Sequence, residues 1–302
     1  MDNFAALILT YGRPDKVLTY YTLRKQGYTG RIVFVIDDTD AKGDEYRERF
    51  GGEPGVEIYC FDKKAMRGSF DIGDNNLDDF RAVIFARNAV TDIVAELGLD
   101  YFLVLDDDYF QFIWRFTDKF EWAMARHFEH REDSGFYTSN LDAIFKCFVE
   151  FLAGTPSHVK TIAMAQGGDF IGGHAGAFGQ LVTLRRKAMN SFFCSADRPI
   201  QWVARVNDDV TTYVTGATRG DVYFTLNQIA LNQPQTQSSS GGLTEFYLAT
   251  GTYVKSFYSV MFHPSGTKVK MLNSRSNPRL HHSVDSNKTA PKILRESVRR
   301  SR

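Results

Sequence analysis

The chain has 302 residues, of which 43% are hydrophobic and 24% charged, so it can bury a sizeable core as one large domain or two closely joined ones. Its 36 Lys and Arg balance 36 Asp and Glu, which excludes a global attraction to nucleic acid or membrane and leaves any polyanion to be held by a local patch. Cys60, Cys147 and Cys194 lie far apart without metal-ligand spacing, and neither a leader-like start nor a membrane-length apolar run is present, so a soluble, cytoplasmic protein with reduced thiols is expected.

In chain order, Phe4 to Thr10 is an apolar run of strand length that breaks at Tyr11-Gly12-Arg13-Pro14. Pro14 suits a first helical position, and Val17, Leu18, Tyr21 and Leu23 supply the apolar side of the helix it opens. Arg31 to Ile36 reads as a second buried strand ending in Asp37 and Asp38, and Val56 to Phe61 as a third. Strands and helices alternating at this spacing predict a mainly parallel sheet with loops at one end open to a nucleotide. The stretch Leu77 to Leu97 has helical spacing, with Arg87 in the middle of its apolar side and Asn88 beside it. A buried guanidinium needs an anion: a structural Asp, a diphosphate, or the carboxylates that hold a metal.

Tyr101 to Leu105 then runs straight into Asp106, Asp107 and Asp108. A continuous apolar run is the signature of a strand covered on both faces, and ligands of open α/β sheets sit beyond the carboxyl ends of such strands. Adjacent carboxylates repel, and a hard divalent cation, Mg²⁺ or Mn²⁺, relieves that repulsion while leaving coordination positions for phosphates. A solvated acidic turn is the alternative.

Beyond the triplet, Phe110 to Phe116 is expected as a half-exposed strand, Asn140 to Leu152 as a helix and Val159 to Ala165 as a strand. His127 and His130 fall on a charged, solvated stretch. The glycine-rich run Gly167 to Gly179, which includes His174, lacks phosphate-loop spacing and reads as turns or a close backbone approach. Trp202 to Val206 is expected as a strand leading into Asn207-Asp208-Asp209, where the acids either cap a helix or, rigidly aimed at its start, serve as a general base. A polar loop, Gln233 to Gly242, precedes strands expected at Phe246 to Leu248 and Thr252 to Phe262, the latter forming a hairpin with Lys268 to Leu272. His281 and His282 are candidate metal ligands, and a basic tail from Lys288 to Arg302 is either solvated or a phosphate contact.

The strand into Tyr11-Gly12-Arg13, the acids Asp37-Asp38, the pair Arg87-Asn88 and the run Leu105 to Asp108 together resemble the nucleotide-sugar half of a GT-A glycosyltransferase. With Val206 to Tyr213 and His281-His282, the chain is similar to the TET-associated DNA glycosyltransferases of bacteriophages, relatives of the base J glucosyltransferase. The resemblance implies an α/β fold of GT-A type, Rossmann-like, with a mixed, mainly parallel sheet and an acceptor-side extension. Residues 1–125 would form the nucleotide-sugar half, 126–272 the acceptor half of the same domain, and 273–302 a metal- and phosphate-contacting segment. It further implies transfer of a sugar from a UDP-sugar or similar donor to a hydroxymethylated pyrimidine in DNA, such as 5-hydroxymethylcytosine, with inversion. Asp106 and Asp108 would hold Mn²⁺ or Mg²⁺, aided by His281 or His282. Tyr11, Arg13, Asp37, Asp38, Arg87, Asn88, Asp106 and Asp107 would hold the donor, and Asp209 or Asp208 would act as base. A protein, glycan or small-molecule acceptor, or a non-catalytic nucleotide-sugar or DNA-binding module, are the competing readings.

Overall fold

The computed structural model describes residues 3–119, 121, 123, 136–166, 169, 184–185, 187–234, 246–247, 250–251, 253–273 and 278–290. His127, His130, His174, the tail beyond 290 and, apart from Asp169, the glycine-rich run lie outside them.

The first strand shows why the sheet is covered on both faces. In β1 (Phe4–Leu9), Phe4, Ala6 and Ile8 enter one apolar core while Ala5, Leu7 and Leu9 enter another, the period-two split of a strand with no wet side. Parallel β2 (Arg31–Asp37) and β4 (Tyr101–Asp106) flank β1, and β3 (Val56–Phe61) lies outside β2. On one face pack α1 (Leu18–Lys25), α2 (Gly43–Phe50) and α4 (Leu141–Ala153), through Leu23, Phe50 and Phe145 among others. The other face is covered by α3 (Ile84–Glu96) and α5 (Asp208–Thr218), through Ile93, Val210 and Val214. At β4 the sheet continues into β8 (Ser191–Ser195), β6 (Val159–Ala165), β9 (Val222–Asn232) and β5 (Gln111–Trp114), with β7 (Leu184–Arg185) also on β9. The pairs β4–β8, β6–β8, β5–β9 and β7–β9 are antiparallel, and β6–β9 is parallel, so the expected mixed sheet is present.

Several boundaries differ from the sequence reading. Pro14–Lys16 forms a 3₁₀ turn and α1 begins only at Leu18. The Leu77 helix begins at Ile84, because the segment before it is a series of turns in which Asp74 and Asp79 accept from the backbone N–H groups of Asn76 and Arg81. Strand β5 is buried over Gln111–Ile113 rather than half-exposed. Trp202 to Val206 is no strand: Ala204 has a φ of 75°, which breaks an extended run, and its backbone N–H donates to the Asp71 carbonyl. The Thr252–Phe262 strand is instead the helix α6 (Val254–Phe262), and Phe246 and Tyr247 are helical too. Lys268 to Leu272 does lie in a hairpin, but β10 (Thr267–Asn273) pairs antiparallel with β11 (Pro278–Val284). A single turn, α7 (Ser286–Thr289), follows. Among the described residues no helix is long and apolar enough to cross a membrane.

Candidate active site

Parallel strands β1, β2 and β4 end side by side, Leu9 in register with Asp106 and Asp37 one step beyond Ile36, so the carboxylates gather where strand order departs in both directions from β1. That crevice is where open α/β sheets hold ligands. Strand β4 ends at Asp106 and the chain turns at Asp107 and Asp108, which separates the middle acid from its neighbours. Asp107 is 1% exposed and points inward, accepting from Thr10 Oγ1 at 2.6 Å and from the Arg13 guanidinium at 2.8 Å to each carboxylate oxygen. It fixes the loop after β1. Gly12, at φ 71°, donates its backbone N–H to Asp40 at 2.6 Å, and the Arg13 N–H donates to the Tyr46 hydroxyl at 3.0 Å.

Asp106 and Asp108 remain at the edge. Asp106 accepts from Tyr109 Oη at 3.2 Å and stands 3.5 Å from Arg87. The Asp108 carboxylate finds no partner among the described residues other than its own backbone N–H, and burial, with Asp106 and then Asp107 beside it, pushes its pKa up to about 7. A carboxylate so raised and unpartnered, with a second one adjacent, is a donor set that a hard divalent cation fits.

On the β2 side, Asp37 is buried and accepts from Lys63 Nζ at 2.8 Å, while exposed Asp38 accepts from the Lys63 backbone N–H at 3.0 Å. The same ammonium lies 4.7 Å from the centre of the half-exposed Tyr11 ring. Lys63 therefore ties Asp37 to the aromatic platform at the mouth of the crevice. No sequence signal marked it, since its partners are remote along the chain.

The second acidic site is joined to the first by Arg87. This side chain is 4% exposed and its guanidinium lies 5.1 Å from the ring centres of both Phe192 and Trp202. It hydrogen-bonds Asp208 and reaches Asp106. Burial opposes its charge, but Asp208, Asp106 and Asp209 outweigh that and raise its pKa further. Of the anions expected for Arg87, the geometry supplies carboxylates, one of them within the triplet. Asn88 is engaged in the scaffold: its amide nitrogen donates to the Trp202 carbonyl at 3.1 Å and its oxygen accepts from the Trp202 N–H at 3.0 Å, holding the ring that stacks on Arg87.

Helix α5 starts at Asn207, whose φ of 57° is left-handed and whose side chain makes no cap. Its amide instead donates to Ser259 Oγ at 2.6 Å and lies 3.3 Å from His282 Nδ1. Capping thus does not account for Asp208, which is committed to Arg87. Asp209 Oδ1 accepts from the Val210 N–H at 2.7 Å, and no hydrogen bond engages its other oxygen among the described residues. Both acids are buried, which raises their pKa values against the pull of Arg87. The charge of Lys187, which pairs with Asp169, bears on Asp209, and the buried Tyr247 phenol is raised by burial and by the two acids nearby. Neither Lys187 nor Tyr247 was marked by the sequence.

Among the described residues, no three His, Cys, Asp or Glu side chains gather as a ligand set, and His281 and His282 lie side by side on β11. Strand β11 brings His282 to Asn207, and burial, with His281 and Lys255 adding to it, lowers its pKa to about 3 and keeps it neutral.

The mixed sheet thus delivers an acidic pair to an open edge at the ends of its parallel strands, with a second acidic pair clamped beside it by Arg87. The chain belongs to the TET-Associated Glycosyltransferase family, whose sequence model matches residues 4–242. It matches no protein of curated function. Similar solved structures include GalNAc-T7 with UDP, GalNAc and Mn²⁺, at 8% identity and a TM-score of 0.41, covering 78% of this chain and 45% of that one. The galactosyltransferase LgtC with donor and acceptor sugar analogues aligns at 10% identity and a TM-score of 0.35, covering 64% of this chain and 58% of its own. The chain thus spans about half the length of these structures, and both scores are too low to add to the assignment.

Proposed function

We propose that the protein transfers a sugar from a nucleotide-diphosphate sugar, a UDP-sugar in the first instance, to the hydroxymethyl group of a modified pyrimidine in DNA such as 5-hydroxymethylcytosine. The observation that carries this reading is the Arg87 clamp, which places Asp106 of the donor edge and Asp208 of the α5 start on one buried guanidinium. Donor and acceptor chemistry then share one crevice. Tyr11 and Asp38 face the nucleoside, Arg13 and Asp107 hold the loop beneath it, and Asp37 acts through Lys63. Asp106 and Asp108 are the residues that would hold Mn²⁺ or Mg²⁺, which when bound supplies Lewis-acid stabilisation of the departing diphosphate.

Asp209 is the general base in this reading. Its neighbour is neutralised by Arg87, whereas Asp209 keeps one oxygen uncommitted in a desolvated setting that brings its basicity closer to neutral pH. It accepts the proton of the hydroxymethyl group as that oxygen attacks the anomeric carbon from the side opposite the leaving diphosphate, which inverts the centre. The family membership supports a glycosyltransferase acting on modified DNA. The test is transfer of radiolabelled sugar to hydroxymethylated DNA in parallel with unmodified DNA and oligosaccharides. Label appearing on oligosaccharides alone would reject the DNA acceptor.

A further inference from the structure

The balanced charge of the chain conceals a strong polarity. Residues 246–302 contain eleven Lys and Arg against two Asp and Glu; of the 36 of each sign in the whole chain, this leaves 25 basic and 34 acidic residues in 1–245. The segment beyond the family match, which ends at residue 242, is therefore the basic part of an otherwise acidic protein. A polyanion approaching the carboxylate-lined crevice is repelled by most of the chain and attracted by this segment.

The described part of that segment is built onto the site. Ser259 of α6 hydrogen-bonds Asn207 at 2.6 Å and lies 3.1 Å from Thr211 Oγ1, while β11 brings His282 to Asn207, so α6 and the hairpin rest on the start of α5 beside Asp208 and Asp209. Helix α6 buries Ser256, Tyr258 and Ser259 and leaves Tyr253, Phe257 and Met261 at 53%, 44% and 57% exposure. These three recur every fourth residue and so form one stripe. On β10, Lys268 and Lys270 are both exposed and, two residues apart, share a face of the hairpin. Aromatic and Met side chains offer apolar contact to sugars and bases, and exposed lysines neutralise phosphates.

We propose that α6 and β10 form the surface that holds the acceptor DNA, with Lys268 and Lys270 meeting backbone phosphates and Tyr253, Phe257 and Met261 lying against the sugars and bases next to the target nucleotide. The proposal rests on the DNA-acceptor reading above and adds where the duplex docks. It also explains how a protein without net charge holds a polyanion.

The experiment measures fluorescence anisotropy of a labelled, unmodified duplex titrated with the full-length protein across roughly 50 to 200 mM salt, a range in which phosphate contacts dominate the salt response. Two variants, Lys268→Gln/Lys270→Gln and Phe257→Ala, are compared with wild type, and hydrolysis of a UDP-sugar in the absence of DNA reports that the donor site is intact. Removing two phosphate contacts should weaken binding about tenfold and flatten the log-affinity against log-salt slope by about 2, with hydrolysis unchanged. Phe257→Ala should weaken binding with the slope kept. If wild type binds the duplex and both variants bind it equally well with the same slope, the surface is wrong while the DNA reading stands. A wild type with no salt-dependent duplex binding takes down the DNA reading and the surface together. Phe257-dependent binding to phosphatidylserine vesicles without duplex binding, or Phe257-dependent self-association, would reassign the stripe to a membrane or to a second copy and overturn the proposal.

Discussion

Replacing Arg87 with Met tests the clamp between the two acidic sites. Methionine keeps apolar contact with Phe192 and Trp202, which lie 5.1 Å from the guanidinium, but removes the charge that Asp208 faces in a position only 4% exposed. Breaking a buried pair by deleting one partner costs about 3–5 kcal/mol, because the other charge is left without compensation. Set against a typical stability of about 5–15 kcal/mol, that is a large fraction. The double variant Arg87→Met/Asp208→Asn removes the stranded charge and leaves only a buried amide to satisfy, a cost of about 1–3 kcal/mol, so it should regain about 2 kcal/mol. The pH dependence has a definite sign. Without Arg87 the folded-state pKa of Asp208 rises further, so the deficit relative to wild type is full above the variant's folded pKa and shrinks as pH falls toward the wild-type folded value of about 6. Urea unfolding at several pH values reads both effects. If Arg87→Met unfolds with wild type, or the double variant is as unstable as the single, Arg87 and Asp208 are not the coupled pair described here.

Three further outcomes are expected. Asp209→Asn keeps the Oδ1 that accepts from Val210 and should keep the melting temperature, yet lose on the order of a hundredfold or more in sugar transfer at saturating acceptor; near wild-type transfer would move the base elsewhere. Because burial and Asp106 hold the Asp108 pKa up at about 7, its ionised form destabilises the metal-free fold above that pH and ceases to do so below the unfolded carboxylate range. Asp108→Asn should therefore melt higher than wild type in chelator at alkaline pH, and Mn²⁺ should raise the melting temperature of wild type but not of the variant. Asn140→Ala, which deletes the side chain accepting from the Ala143 N–H at the start of α4, should cost about 1 kcal/mol without altering donor binding by calorimetry.

What was legible in the sequence follows from which signals are local. Strands β1, β2 and β4 carry continuous apolar runs closed by turns or acids, β3 and β6 are short and largely apolar, and α4 carries both its cap and its period between Asn140 and Ala153. Helix α6 misled because Val254, Phe257, Tyr258 and Val260 favour strands by composition, while two of its three buried positions, Ser256 and Ser259, are small hydroxyl residues three apart that carry no hydrophobic signal. Helix α2 went unread since only Tyr46 and Phe50 of its eight residues are buried. At the site, the carboxylates and Arg87 stood out because charge beside apolar runs demands explanation. Lys63, Lys187 and Tyr247 did not, for their meaning lies in partners remote in sequence.

The insertion of β8 beside β4 has a kinetic consequence. Residues 101–105 pair with residues 191–195, and the Arg87 to Asp208 contact closes a loop of 121 residues. Contacts of such separation are costly in chain entropy to form, and a topology rich in them folds slowly. Strands β1 to β3, by contrast, pair with near neighbours in sequence, whereas β1 reaches β4 from Phe4 to Tyr101, a separation as large as that of β4 from β8. A refolding chain can therefore pair β1 to β3 early, but the donor edge at the end of β4 and the clamp to Asp208 both wait on distant contacts. In a stopped refolding series, nucleotide binding and sugar transfer should therefore both return in the slow phase.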